Sequence, residues 1–339
     1  LLGYNAMKVY LLSAYPLGGE NITVNHVKES ALMDPFGVHE LVDDPKNADL
    51  IIFVENHPGC DPYFFNVLKN SVYRVYKEKC VLYHDNDRSL TFLPTISPSL
   101  EKSYFNQNLH RPFPYITQLS RNPYIKHLYK NQEEKIYLFS FIGASRTHTV
   151  RKKIFKINYE RCYLKDTSDK NSWQLKNEEK DYYFKKYAEI CQKSKFILCP
   201  RGIGPNSYRL YESMEAGVAP VIISDDWIPS QGPKWKEFSI QVRESDVSRI
   251  EEILLEKEVD YKALGLKARE VWEDYFSKDK QFHYLVETAY QLQSEKGKKK
   301  FLRQYIRFTK SSFHLRNLIR FTVKKMFLGL ESLWGLSKC

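Results

Sequence analysis

Residues 199–225 read Cys-Pro-Arg-Gly-Ile-Gly-Pro-Asn-Ser-Tyr-Arg-Leu-Tyr-Glu-Ser-Met-Glu-Ala-Gly-Val-Ala-Pro-Val-Ile-Ile-Ser-Asp. An apolar strand over Phe196–Cys199 ends at Pro200, and a loop follows with Gly202 and Gly204. Asn206 or Ser207 can cap a helix that runs to Gly217, and Ala219–Ile223 is the next strand. Glycines let backbone approach a ligand closely, and the free N–H groups at the helix start attract anions such as a diphosphate. Arg201 and Arg209 add permanently charged, bidentate donors at that end of the sheet. Glu212, three residues after Arg209, faces the same side and is suited to accept two ribose hydroxyls. The plainer alternative is structural punctuation with Arg209 and Glu212 pairing on a helix surface, and Asp225-Asp226 as a turn at a strand end.

Working outward, further apolar runs fall at Lys8–Leu12, Leu50–Val54, Cys80–Tyr83 and 136–142, with segments between them long enough for helices. That alternation predicts an α/β protein with mostly parallel sheets. The 339 residues suit two domains, each able to bury a core. Five prolines between Thr91 and Tyr124 predict an irregular connection between the lobes. The pattern from Val247 to Gln293 predicts surface helices packed on the second lobe. The expected units are therefore 1–125, 126–295 and a tail, 296–339.

A second glycine turn closes the strand at 136–142: Gly143-Ala-Ser-Arg146-Thr-His-Thr-Val-Arg151. Ligands of open α/β sheets bind outside the carboxyl ends of strands, so Arg146 and Arg151 are candidates to neutralise a leaving diphosphate.

The Pro200-Arg201-Gly202 run, Ser207, Arg209, Glu212, Gly217, Pro220-Val221, Ser224-Asp225, Trp235, Phe238 and Val271-Trp-Glu-Asp-Tyr-Phe276 together resemble the exostosin-like glycosyltransferases. The resemblance spans roughly residues 135–290. It implies a GT-B fold, two Rossmann-like lobes facing across a cleft, with a nucleotide-sugar held by the second lobe. It also implies an inverting transfer without a DxD metal motif. On that resemblance Arg209 looks like the arginine on the diphosphate and Glu212 like the acid on the ribose. Arg201, Gly202 and Ser207 look like the loop around them. The donor set is then Gly143, Arg146, Arg151, Arg201, Gly202, Ser207, Arg209, Glu212 and Asp225. The expected partners are a nucleotide-sugar, UDP-linked, and a glycan or lipid-linked glycan acceptor. The rival reading is a catalytically silent nucleotide-sugar or glycan-binding protein.

An inverting transfer needs the acceptor hydroxyl deprotonated as it attacks, so the first lobe should carry a general base. Two strand ends offer groups, Glu55-Asn-His57-Pro-Gly-Cys-Asp61 and Tyr83-His84-Asp85-Asn-Asp87-Arg88. His84, Asp85 and Asp87 are the preferred catalytic candidates, each with an alternative role as a turn or cap. Metal binding by His57, Asp61 and His84 stays open as an alternative although they lack the spacing of a ligand set, and the expectation is that no cofactor is required, with a divalent cation at most non-essential.

The net charge is +11, and residues 296–325 alone hold eleven Lys and Arg with no Asp or Glu. The basic balance is a property of this tail. Its apolar residues from Leu315 to Leu330 keep near-helical spacing, which predicts a basic amphipathic helix on an anionic membrane surface through 296–335. A solvated tail and nucleic-acid contact are the alternatives, and the large apolar face disfavours nucleic acid. Six cysteines with no CxxC pair suggest a reducing compartment. With no apolar run of membrane-spanning length and no leader, the expectation is a cytoplasmic protein, peripheral on the inner membrane face. The start at Leu1 leaves room for a removed anchor.

Overall fold

A computed structural model describes residues 5–15, 22–56, 61, 63–87, 93–116, 122–130, 133–169 and 177–294, together with 319, 322, 323 and 326. The strands are β1 (Lys8–Leu12), β2 (Glu40–Leu41), β3 (Leu50–Glu55), β4 (Cys80–His84), β5 (Thr95–Ser97) and β6 (His110–Pro112), then β7 (Tyr137–Gly143), β8 (Cys162–Asp166), β9 (Ser194–Pro200), β10 (Ala219–Ile223) and β11 (Ile240–Gln241). The α-helices are α1 (Ile22–Leu32), α2 (Phe65–Lys69), α3 (Ser71–Tyr76), α4 (Thr149–Ile154), α5 (Asn177–Gln192), α6 (Tyr208–Glu215), α7 (Ile250–Glu256), α8 (Tyr261–Val271) and α9 (Lys278–Ser294).

Two sheets result, ordered β2-β1-β3-β4-β5-β6 and β11-β10-β9-β7-β8, and every strand pairing within them is parallel. Parallel sheets must be covered on both faces, which is why β3 and β4 are apolar up to their last residues, Glu55 and His84, and buried along their whole length. In the first lobe α1 and α9 cover one face, and Phe64, Val67 and Tyr73 from the α2–α3 region cover the other. In the second lobe α5, α6 and α8 cover one face, while α4 and α7 cover the other. This is the GT-B arrangement of two α/β lobes.

Two expectations are corrected. The proline-bearing stretch from Thr91 to Tyr124 contains β5 and β6, which complete the first sheet. Pro112 is tolerated there because β6 is an edge strand, with an N–H side that needs no ladder partner. The last helix, expected on the second lobe, crosses back: Phe282, Leu285, Val286, Ala289 and Leu292 of α9 pack against Val9, Leu11, Leu50 and Ile52. A helical stripe states which face is buried but not against which sheet. The crossing follows a π-helical turn over Trp272–Phe276, closed by Ser277 N–H donating to the Trp272 carbonyl at 2.8 Å. The expected span 126–295 therefore includes a helix that belongs to the first lobe's core. Among the described residues no helix is long and apolar enough to cross a membrane.

Candidate active site between the lobes

In the second sheet the chain passes from β7 outward to β8 and then back across to β9, so the strand order reverses between β7 and β9. The loops leaving these two neighbours diverge and open a crevice at the carboxyl end of the sheet. A cavity of about 240 Å³ lies there, roofed by Asp87 and Tyr115 of the first lobe. Arg146, Thr147 and Arg151 enter it from the β7 turn, and Gly202, Ile203, Asn206, Ser207, Tyr208, Arg209 and Glu212 enter from the β9 turn and α6.

The glycines act by clearance. A Cβ on Gly143 would stand 2.8 Å from Arg209 Nη2, and one on Gly202 would stand 3.1 Å from Arg151 Nη2. Both guanidinium groups thus pass over bare backbone. Arg209 Nε donates to the Ile142 carbonyl at 2.7 Å, and Arg151 Nε donates to the Arg201 carbonyl at 2.8 Å. Their guanidinium carbons lie 5.2 and 5.4 Å from the centre of the Phe141 ring. Burial, reinforced by the neighbouring Arg209 charge, pulls the Arg151 pKa down to about 9, so it remains a cation at neutral pH. Two cations held side by side in a buried crevice favour an anion between them.

Ser207 occupies the N-cap position of α6 without capping it, and its Oγ is buried with no hydrogen-bond partner among the described residues. Asn206 takes the local role instead, with Oδ1 accepting from Ser207 N–H at 2.7 Å and Nδ2 donating across the lobes to the Pro98 carbonyl at 2.9 Å. Arg146 donates to the Ser168 carbonyl at the cavity rim.

Of the expected donor set, Gly143 packs against Arg209, and Arg146, Arg151, Gly202, Ser207, Arg209 and Glu212 line the cavity. Arg201 and Asp225 do not line it. Arg201 is a strut between lobes, paired with Glu101 at 3.1 Å, Asp226 at 3.4 Å and Glu244 at 3.8 Å. Asp225 exchanges hydrogen bonds of 3.2 Å with Glu244, the turn role that its place after β10 allowed.

The three catalytic candidates separate in the same way. Asp87 lines the cavity. His84 is fully buried, its ring stacked on Phe64 at 4.8 Å and its Nδ1 accepting from Asn86 N–H at 3.1 Å. Asp85 accepts from the Tyr83 hydroxyl and from Ile116 N–H, and so anchors the segment leaving the first lobe. Asp61 accepts from Tyr15 and from Asn66 N–H, while His57 lies outside the described residues. Among the described residues no group of three His, Cys, Asp or Glu could hold a metal ion.

Sequence reading missed the aromatic wall. Lys180, Tyr183, Phe184 and Tyr187 of α5 line the cavity, as do Tyr115 and Tyr208. The i, i+4 spacing of Tyr183 and Tyr187 was a usable signal, since it sets both rings on one helix face. Nothing local marked Tyr115.

The family model of the exostosin GT47 domain matches residues 63–257, more than half of the chain. The chain belongs to the exostosin GT47 family. Relatives include the Exostosin-1 homolog of Caenorhabditis elegans, 29% identical over 49% of this chain and 47% of that protein. A probable glucuronoxylan glucuronosyltransferase of Arabidopsis thaliana is 32% identical over 42% of this chain and 31% of that protein. The chain thus matches less than half the length of these exostosin relatives. Among solved structures, MurG of Acinetobacter baumannii covers 85% of this chain at 8% identity with a TM-score of 0.34, a likeness that carries no weight here. The family match spans the second half of the first lobe and most of the second lobe, so it includes both Asp87 and the arginine crevice of this exostosin domain.

Proposed function

We propose that the protein is an inverting glycosyltransferase that moves a sugar from a UDP-linked donor to a hydroxyl of a glycan or lipid-linked glycan acceptor. The observation that carries this reading is the convergence of Arg151, Arg209, Ser207 and Glu212 on one cavity that Asp87 enters from the opposite lobe. On this reading the diphosphate lies between Arg151 and Arg209 at the start of α6, and Glu212 accepts hydroxyls of the ribose. The acceptor oxygen attacks the anomeric carbon from the face opposite the diphosphate. Its proton passes to Asp87, the new glycosidic bond forms, and the bond from the anomeric carbon to the phosphate oxygen breaks with its electron pair. The arginines stabilise the charge that grows on the departing diphosphate, where preorganised cations act most strongly. They supply the positive charge that a divalent cation would otherwise bring, so transfer should survive a chelator.

The test is calorimetric titration of UDP, GDP and their sugars into wild type, Arg209→Ala and Glu212→Ala, with transfer measured in parallel. Binding of one nucleotide weakened by roughly 1–3 kcal/mol in each variant supports the site, as expected for a lost hydrogen bond to a charged group. Binding without donor hydrolysis or transfer would favour a silent sugar-nucleotide binder.

We also propose a cytoplasmic, membrane-peripheral location through residues 296–335, most of which lie outside the described residues. Ile319, Val323 and Met326 are helical and exposed at i, i+4 and i+7, the spacing of one apolar face. Flotation with anionic liposomes that is equal with and without this segment would remove the proposal.

A further inference from the structure

Tyr115 comes from the first lobe and Tyr208 from the second, yet their rings stack with centroids 4.0 Å apart and planes at 30°. Tyr208 opens α6 and is the chain neighbour of Arg209, so this stack ties the end of the first lobe to the helix that carries the anion-binding arginine. The Tyr115 hydroxyl is itself engaged on both sides. It lies 2.6 Å from Ser99 Oγ and donates to Asp87 Oδ1 at 3.3 Å. The backbone of Asp87 is held from the other lobe, because a Cβ on Gly204 would stand 2.5 Å from the Asp87 carbonyl oxygen and 2.7 Å from Ser99 Oγ.

Resting on the glycosyltransferase reading above, we infer that Tyr115 is the positioning residue for the Asp87 carboxylate, and that its stack on Tyr208 registers that carboxylate against the donor helix. With the tyrosine proton given to the aspartate, the tyrosine oxygen can only accept from Ser99, so each hydroxyl in the chain then has one direction. Burial, together with the Asp87 charge, holds the Tyr115 pKa well above 10, and the hydroxyl stays a donor through the working pH range. A carboxylate with one oxygen held in this way meets an incoming acceptor hydroxyl in a single orientation. It takes the proton as the new bond to the anomeric carbon forms and the diphosphate leaves. The 3.3 Å separation is long for an O–H···O bond, as catalytic hydrogen bonds often are before the substrate complex tightens them.

The experiment is Tyr115→Phe, which keeps the ring and its stack but deletes the hydroxyl. The expected result is a kcat lower by roughly tenfold to a hundredfold, the worth of a hydrogen bond to a charged group, with the nucleotide Kd unchanged within about twofold. The acid limb of the pH–kcat profile should move to higher pH, because the ionised aspartate loses a donor and its pKa rises. Combining Tyr115→Phe with Asp87→Asn should slow transfer no further than Asp87→Asn alone. An unmoved acid limb with Kd and kcat worsening together would reduce Tyr115 to a packing residue and overturn the inference. Should Tyr115→Phe fail to fold, Ser99→Ala reads the same chain from its far end, and an unmoved limb there overturns it equally. A wild-type protein that binds no nucleotide refutes the underlying reading and this inference together. One that transfers sugar with a normal Tyr115→Phe profile refutes the inference alone.

Discussion

Gly143 and Arg209 are in direct registration: the guanidinium of Arg209 occupies the space that any side chain at Gly143 would need, with Nη2 only 2.8 Å from where a Cβ would lie. The glycine at the end of β7 is therefore required by the side chains that pass over it, Arg209 of α6 and Phe141 of β7, whose Cζ would lie 2.9 Å from that Cβ, and not by its own backbone angles. This contact couples the two turns that flank the crevice.

Gly143→Ala should weaken nucleotide binding by about tenfold, equivalent to roughly 1.4 kcal/mol, by displacing Arg209 from the Ile142 carbonyl. Overpacking should also lower stability by about 1–3 kcal/mol. Titration calorimetry beside urea unfolding separates the two effects, and full nucleotide affinity in the variant would contradict the coupling.

Arg201→Ala should behave in the opposite sense to Arg209→Ala. It leaves Glu101, Asp226 and Glu244 without their shared cation, at a cost of about 2–3 kcal/mol once the partial exposure of Asp226 is discounted. Nucleotide affinity should change by less than about twofold, since Arg201 does not line the cavity. Unfolding midpoints and Kd values measured on the same samples decide between the two roles.

Glu55 sits at the end of β3 and is fully buried, accepting from Ala14 N–H and Ser13 Oγ at 2.6 Å each. Burial raises its pKa to about 7 against hydrogen bonds that pull it down. A carboxyl with a raised native pKa binds more protons folded than unfolded between about pH 4.5 and 7, so its contribution to stability is lost as pH rises through that window. Glu55→Gln should therefore gain stability relative to wild type on going from pH 5 to pH 8, by on the order of 2–3 kcal/mol. Parallel denaturation curves at the two pH values would show a constant difference if the carboxyl were ordinary.

Phe282 of α9 is buried in the core of the first lobe. Phe282→Ala should cost about 3–5 kcal/mol. Hydrogen exchange should report the loss in β1 and β3 before it appears in β9 and β10. Loss confined to the second lobe would contradict the crossover.

Inorganic pyrophosphate should raise the melting temperature by relieving the repulsion between Arg151 and Arg209, by about 2.7 kcal/mol of stabilisation at a hundredfold excess over its Kd. The effect should vanish in Arg209→Ala. A scan with sulfate at matched ionic strength controls for general screening.

The sequence by itself determined the strands β1, β3, β4, β7, β9 and β10 and the second-lobe crevice, because each rests on short-range rules. Apolar runs such as Ala219–Ile223 make buried parallel strands, and the Gly202-x-Gly204 loop before Ser207 leads into a helix. Spacing alone set Arg209 and Glu212 on one side of α6. Tertiary structure alone decided what crosses between lobes. It sent Arg201 to Glu101, Asp87 to the cavity and His84 to the core, although His84 and Asp87 are separated by only two residues. It also set α9 on the first sheet and Tyr115 on Tyr208. The physical reason is that period and propensity report which residues are buried and which backbone they favour. The partner of a buried group is chosen by packing between segments distant in the chain, and no local pattern encodes it.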